Sequence, residues 1–123
     1  MKLHLSNPSG LYSFTGYGEG YVEINGHRHV TSLVITPQTL HLEDWGGLVI
    51  EQLNEDHFAR LAQLKPEMVL LGTGARLRFP HPRLSRALVE ARIGLDVMDT
   101  GAACRTYNIL MAEGRNVLAV ILL

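Results

Sequence analysis

The chain has a single cysteine, Cys104, among its 123 residues. One thiol excludes an internal disulfide and any metal site built from several cysteines, and it fits a reducing compartment. A large excess of positive charge is also missing, because 11 Lys and Arg stand against 12 Asp and Glu. Proteins that bind nucleic acid usually carry a broad basic surface, so we expect no nucleic acid among the partners.

Long apolar runs and targeting signals are absent as well. The longest apolar run, Val117–Leu123, is far too short to span a bilayer. The first twenty residues have Lys2 as their only cation and no continuous apolar stretch, unlike a signal or transit peptide. We therefore expect a cytoplasmic protein without a transmembrane segment.

What is present is the composition of a globular protein, with 46% hydrophobic and 19% charged residues. The length suits one domain with its own core. We expect residues 1–123 to form a single domain, with a hairpin half at about 1–50 and a strand–helix half at about 51–123.

The first half carries a strong hairpin signal. Tyr21–Ile24 alternates apolar and polar residues, Asn25-Gly26 favours a tight turn, and His27–Ile35 reads as the return strand. Leu40–Leu42 and Leu48–Ile50 are predicted to be short strands. Before the hairpin the pattern is mixed: residues 7–10 predict a turn, and apolar residues such as Leu3, Leu5, Leu11 and Phe14 are candidates for the core.

The second half alternates strands with helical patterns. The predicted elements are a helix from Asn54 to Lys65, a strand at Met68–Leu71, a brief strand at Leu77–Phe79, a helix at Pro82–Ile93 stopped by Gly94, a strand at Leu95–Met98, a helix from Thr100 to Gly114, and a strand at Val117–Leu122. Crossovers of this length favour parallel pairing. The whole pattern predicts an α+β fold, a layered mixed sheet with an N-terminal β-hairpin and about three helices.

The most distinctive stretch is the start of the last helix. Asp99 and Thr100 are suited to cap its first N–H groups, and Gly101 leaves the first turn unshielded. The bend Gly72–Gly74 follows a strand of buried type and is a candidate to approach this helix start. Two such backbones would build a hollow rich in N–H groups, where small anions bind. A dinucleotide site is disfavoured, because Leu77 stands where its third glycine is needed, and no cofactor is expected.

Polar residues crowd this helix, and each has two interpretations. Cys104 lies near the helix N-terminus beside Arg105, a position that favours a reactive thiolate, but free cysteines are usually small buried hydrophobes. Thr106, Tyr107 and Asn108 point in different directions. The favoured interpretation is structural: Thr106 and Asn108 bond to nearby backbone, and Tyr107 packs with its hydroxyl at a rim. The alternative is ligand binding.

Two other clusters are weaker signals. His27 and His29 share one strand face, but two imidazoles are not enough for zinc, so no metal site is expected. A basic patch is also present; it consists of Arg76, Arg78, Arg83 and Arg86. Such a patch is usually a solvated face, although it is suited to an acidic partner.

These motifs resemble a known family. The Gly-Thr-Gly bend and the Thr-x-Ala-Ala-Cys-x-Thr-Tyr-Asn-x-Leu helix are similar to the small domain shared by mitochondrial respiratory complex I assembly factor 3 and the adipogenesis-associated domain protein. The resemblance implies an α+β fold, no established enzyme activity, and assembly by protein contact. The family's most recognisable residues fall on Gly72, Thr73, Gly74, Thr100, Ala103, Cys104, Thr106, Tyr107 and Asn108.

Three functions follow from these observations. The leading hypothesis is a non-catalytic, protein-binding accessory domain whose partner surface is an exposed apolar or basic patch. The alternative is a small-anion site between Gly72–Gly74 and the helix start at Thr100. The third is a thiol enzyme that uses Cys104.

Overall fold

The structure of the protein is a computed structural model that describes residues 10–123. Within this range the chain forms eight strands and three α-helices. The strands are Phe14–Gly18 (β1), Tyr21–Ile24 (β2), His27–His29 (β3), Leu33–Ile35 (β4), Leu40–His41 (β5), Met68–Gly72 (β6), Gly94–Met98 (β7) and Val117–Ile121 (β8). The helices are Glu55–Gln63 (α1), Arg86–Glu90 (α2) and Thr100–Ala112 (α3). None of these helices has the length and apolar character that crossing a membrane requires.

The larger of two sheets has the strand order β5-β4-β8-β6-β7. Strand β6 pairs in parallel with both β7 and β8, while β4 is antiparallel to β5 and β8. The predicted parallel pairing of the second half is therefore confirmed. It arises because α2 and α3 carry the chain back across the sheet between successive strands.

The smaller sheet is an antiparallel meander of β1, β2 and β3. The predicted turn at Asn25-Gly26 joins β2 to β3, and both residues adopt positive φ, 49° and 83°. Two positive φ values are the requirement of the two-residue hairpin turn whose twist matches the strands. Local turn chemistry therefore sets this hairpin.

Helix α3 lies between the two sheets, and α1 and α2 cover the opposite face of the larger sheet. The larger sheet therefore has a hydrophobic core on each face, and the residues of strand β8 alternate between these two cores. Val117, Ala119 and Ile121 pack with α3, whereas Leu118 and Val120 pack with α1 and α2. Helices cover both faces of β8, which explains why it is apolar at every position.

The return strand predicted at His27–Ile35 is instead two strands in different sheets. Residues 30–32 break it, and Ser32 anchors the break: its hydroxyl donates to the Leu48 carbonyl (2.8 Å) and accepts from the Leu123 N–H (3.0 Å). The chain therefore leaves the small sheet at His29 and enters the large one at Leu33.

Further boundaries differ from the predictions. Leu48–Ile50 is not a strand but leads into a 3-10 turn at Ile50–Gln52. Leu77–Phe79 pairs with no described strand and both side chains are exposed. The helix predicted at Pro82–Ile93 is a 3-10 turn followed by the short α2.

The predicted stop at Gly94 is also wrong. Arg92, with φ of 60°, takes the left-handed conformation that ends the helix, and Gly94 begins β7.

At the other end of the chain, Phe14 belongs to β1 and is buried, as a core residue was expected to be. Leu3, Leu5 and most of the turn predicted at 7–10 lie outside the described residues.

Candidate functional site

The carboxyl ends of β6, β7 and β8 meet at one edge of the large sheet. In the parallel register Gly72 lies opposite both Met98 and Ile121. The bend after β6 and the start of α3 therefore come together, as the geometric argument from the sequence required. The Thr100 N–H donates to the Gly74 carbonyl (2.9 Å), and the Gly74 N–H donates to Thr100 Oγ1 (2.9 Å).

Glycine at position 72 allows α3 to lie directly on β6. A Cβ atom there would lie 3.0 Å from Ala103 Cβ and 3.2 Å from Thr100 Cα. The second of these atoms is backbone, which cannot move aside without shifting the helix. Gly72 and the small Ala103 are therefore a matched packing pair, and their role is to seat the helix.

Thr73 fixes the turn that follows β6. Its hydroxyl donates to the Arg76 carbonyl (2.7 Å) and accepts from the Arg78 N–H (3.1 Å), and its own N–H donates to the Met98 carbonyl (3.0 Å). Gly74 then takes a φ of 93°, which a side chain would strain. The Gly-Thr-Gly motif is thus a turn held to β7 and α3.

The N–H groups at the start of α3 are largely used by the protein itself. The Ala102 N–H donates to Asp99 Oδ1 (2.9 Å) and the Ala103 N–H donates to the Asp99 carbonyl (3.0 Å). With the Thr100 and Gly74 N–H groups also bonded, the meeting point is not the hollow of free donors that the sequence suggested. The small-anion interpretation is therefore not supported.

A cleft of about 540 Å³ opens beside this junction. Its walls include Tyr17, Gly74, Gly101 and Arg105, so the small sheet, the bend after β6 and α3 all contribute. The Arg105 guanidinium donates to the Tyr17 hydroxyl. A Cβ at Gly101 would lie 2.8 Å from the Tyr17 ring, so this glycine admits the ring against the helix.

Cys104 does not line the cleft; it is buried in the core between α3 and the sheets. Burial raises the pKa of its thiol to about 12, and the opposing effect of Arg105 is smaller. A thiol that stays protonated at neutral pH is a poor nucleophile. The structure therefore favours the small buried hydrophobe over the reactive thiolate.

Tyr107 and Asn108 hold the small sheet to α3. The Asn108 side chain accepts from the Phe14 N–H (2.9 Å) and donates to the Phe14 carbonyl (2.7 Å). The Tyr107 hydroxyl donates to the Tyr12 carbonyl (2.8 Å), and burial raises the pKa of that phenol. These bonds reach Phe14 of β1 and Tyr12 just before it, more than ninety residues away, and not the neighbouring backbone. Tyr107 is fully buried and does not lie at a rim.

The remaining candidates take no part in this network. Thr106 is half-buried, and its hydroxyl has no hydrogen-bond partner among residues 10–123. His27 is exposed and His29 half-exposed; burial, and to a lesser degree the neighbouring His27, lowers the pKa of His29. In the described part of the chain no three His, Cys, Asp or Glu side chains are grouped to hold a metal ion.

One surface feature was not predicted. Leu77 and Phe79, expected in a strand, are 51% and 72% exposed. The available signal was the sequence Arg-Leu-Arg-Phe-Pro itself, in which large apolar residues stand among arginines and no strand partner is evident. The predicted basic patch therefore includes exposed apolar side chains.

The fold and its polar contacts define an α+β protein in which one helix, anchored by Asn108 and Tyr107, joins two sheets. The chain belongs to the family described as protein of unknown function (DUF498/DUF598), whose model matches residues 14–122. The resemblance inferred from the Gly-Thr-Gly bend and the helix motif is thereby confirmed.

Solved structures and a curated relative extend the comparison. A crystal structure from Bordetella parapertussis is 36% identical with a TM-score of 0.84, covering 94% of this chain and 98% of that chain. The crystal structure of an outer membrane protein from Bartonella henselae is 33% identical with a TM-score of 0.74, covering 92% and 95%. NADH dehydrogenase [ubiquinone] 1 alpha subcomplex assembly factor 3 from Bos taurus is 31% identical over 115 residues. That match covers 92% of this chain but only 61% of the relative.

Proposed function

We propose that the protein is a non-catalytic accessory domain that binds another protein and assists assembly of a respiratory NADH dehydrogenase. The observation that carries the proposal is the similarity to the assembly factor from Bos taurus over 92% of the chain. The chain spans about three-fifths of that relative, so the proposed activity is that of the shared part.

The chemistry of the family motif supports a non-catalytic role. The side chains of Thr73, Thr100, Tyr107 and Asn108 are each hydrogen-bonded to backbone groups of the protein. Cys104 is buried with a raised thiol pKa. Residues so engaged stabilise the fold and are not free to act on a substrate. A lone thiol also suits action in the cytoplasm, the compartment that we propose.

The test is deletion of the gene, followed by measurement of assembled NADH dehydrogenase on native gels. We expect less assembled complex in the deletion strain and full rescue by the wild-type gene. A Cys104→Ala variant that accumulates normally is expected to rescue as well, because the thiol supplies no chemistry. An unchanged level of complex after deletion contradicts the assembly role, and failure of a stable Cys104→Ala protein contradicts the non-catalytic one.

A further inference from the structure

The segment between β6 and α2 exposes two large apolar side chains. Phe79 is 72% exposed and Leu77 is 51% exposed. Burying an apolar side chain away from water is favourable, so an aromatic ring left in solvent forgoes that stabilisation. Exposed apolar side chains that cluster mark interaction surfaces more often than isolated ones do.

Phe79 also forms one wall of a groove. The groove has a volume of about 240 Å³ and lies between the 3-10 turn at Ile50–Gln52 and residues 78–84. Buried Leu53 and half-buried Ile50 and Leu84 contribute apolar lining. We call Phe79, Pro80, Leu84, Ile50 and Leu53, with the arginines between 76 and 86, the Phe79 face. A groove with apolar lining admits an anchoring side chain, as the centre of a protein interface does.

The chain segment on one side of this groove is rich in positive charge, while Glu51 lies on the other side. Residues 75–92 contain five arginines and one acid, Glu90, whereas the rest of the chain contains six cations and eleven acids. Arg78 is paired with Glu51, and Arg83 lines a hollow together with Glu55 and Asp56. Among residues 10–123, Arg76, Arg86 and Arg92 have no acidic side chain within ion-pair distance.

We propose that the Phe79 face binds an acidic segment of a partner protein, with an apolar side chain of that segment in the groove. This inference rests on the proposed protein-binding function and names its surface. The arginines without an acidic partner favour binding of a negatively charged segment. The apolar groove favours a segment that also carries an apolar side chain. The apolar side chains line a groove and do not only project from the surface, as an isolated Phe79 would. A protein segment therefore fits this face better than a lipid surface.

The test replaces Phe79 with the photo-crosslinking residue p-benzoylphenylalanine in the full chain, expressed in its native cells. Position 109 is the matched control, because Ile109 is 58% exposed and lies on α3, on the other side of the large sheet. The expected result is a protein crosslinked from position 79 and not from 109, at a segment rich in Asp and Glu. Phospholipid adducts at 79, adducts at a neutral or basic segment, or equal adducts at both positions overturn the proposal.

A synthetic peptide of the crosslinked segment then measures the contribution of each group. Phe79→Ser is expected to weaken peptide binding by about tenfold or more, as loss of a central aromatic anchor does, and Arg76→Glu to weaken it and reduce its salt dependence. Ile109→Ser is expected to leave affinity within about twofold, since it lies outside the face.

All three side chains are exposed, so these variants are expected to fold. If Phe79→Ser binds the peptide with wild-type affinity, the Phe79 face is not the binding surface, while the proposed protein-binding function stands. Recovery of no stable partner by the wild-type chain refutes the function itself.

Discussion

Replacing Asn108 with alanine is expected to loosen the small sheet from α3. The side chain makes two buried hydrogen bonds to Phe14, at 2.9 and 2.7 Å, and alanine leaves both backbone groups without them. An unsatisfied buried donor or acceptor costs about 1–3 kcal/mol, so for the two groups we expect a loss of about 2–6 kcal/mol in the free energy of unfolding. This is a large share of the roughly 5–15 kcal/mol typical of a domain.

The loss is measured by urea unfolding, followed by circular dichroism. Thr106→Ala is the matched control on the same helix, because Thr106 has no side-chain hydrogen bond within residues 10–123. We expect it to change stability by less than about 0.5 kcal/mol. Equal stability of Asn108→Ala and the control would refute the reasoning.

An Asn108→Asp variant separates hydrogen bonding from packing. The new side chain still accepts from the Phe14 N–H, but only its protonated form donates to the Phe14 carbonyl. Burial and that carbonyl therefore raise the folded-state pKa of the new carboxyl above its unfolded value of about 3.9. The stabilisation is present below the unfolded pKa and lost as pH rises through the folded pKa. The stability gap to wild type is expected to widen between pH 4 and pH 8, and a constant gap would argue against this geometry.

Three further predictions follow from the structure. Iodoacetamide is expected to label Cys104 far more slowly in the folded protein than in urea, because the thiol is buried with its pKa raised to about 12; equal rates would count against burial. Gly72→Ala is expected to lower stability by about 1–3 kcal/mol through overpacking, measured by urea unfolding, whereas Gly94→Ala, with open space at its Cβ, is expected to change it little. The Nδ1 of His57 accepts a hydrogen bond from the Asn54 N–H, and burial lowers the folded-state pKa of this imidazole. The neutral ring therefore contributes to the stability of the fold above the unfolded pKa of about 6.5, and this contribution is lost as pH falls through the folded pKa. His57→Gln is expected to flatten that part of the pH–stability curve, and an unchanged curve would contradict the assignment.

Much of the fold was predictable because its signals are local. Asn25-Gly26 set a tight hairpin turn, and Asp99 capped α3 through the Ala102 N–H. The apolar run of β6 indicated a strand covered on both faces, which is confirmed because Leu70 packs in the core with α3 while Val69 and Leu71 pack in the core with α1 and α2. The approach of the Gly72–Gly74 bend to Thr100 also followed, since parallel strands end at the same edge of a sheet.

The errors arise where pairing partners decide the outcome. Leu77–Phe79 alternates as a strand does, but in the described structure no strand lies beside it. His27–Ile35 reads as one strand, but Ser32 bonds to Leu48 and Leu123 and divides it between two sheets. A strand is completed by hydrogen bonds to another segment, so its own residues do not determine where it ends.

By itself the sequence determined the turns, the helix caps, the apolar periodicity and the family motif, because each depends on neighbours within a few residues. Only the tertiary structure decided what the motif's polar groups do. Asn108 and Tyr107 bond to backbone more than ninety residues away, and most N–H groups near Thr100 are bonded within the protein. It also decided that Phe79 stays in solvent. The physical reason is that hydrogen-bond partners and burial depend on how distant segments are brought together, which topology sets and local spacing does not.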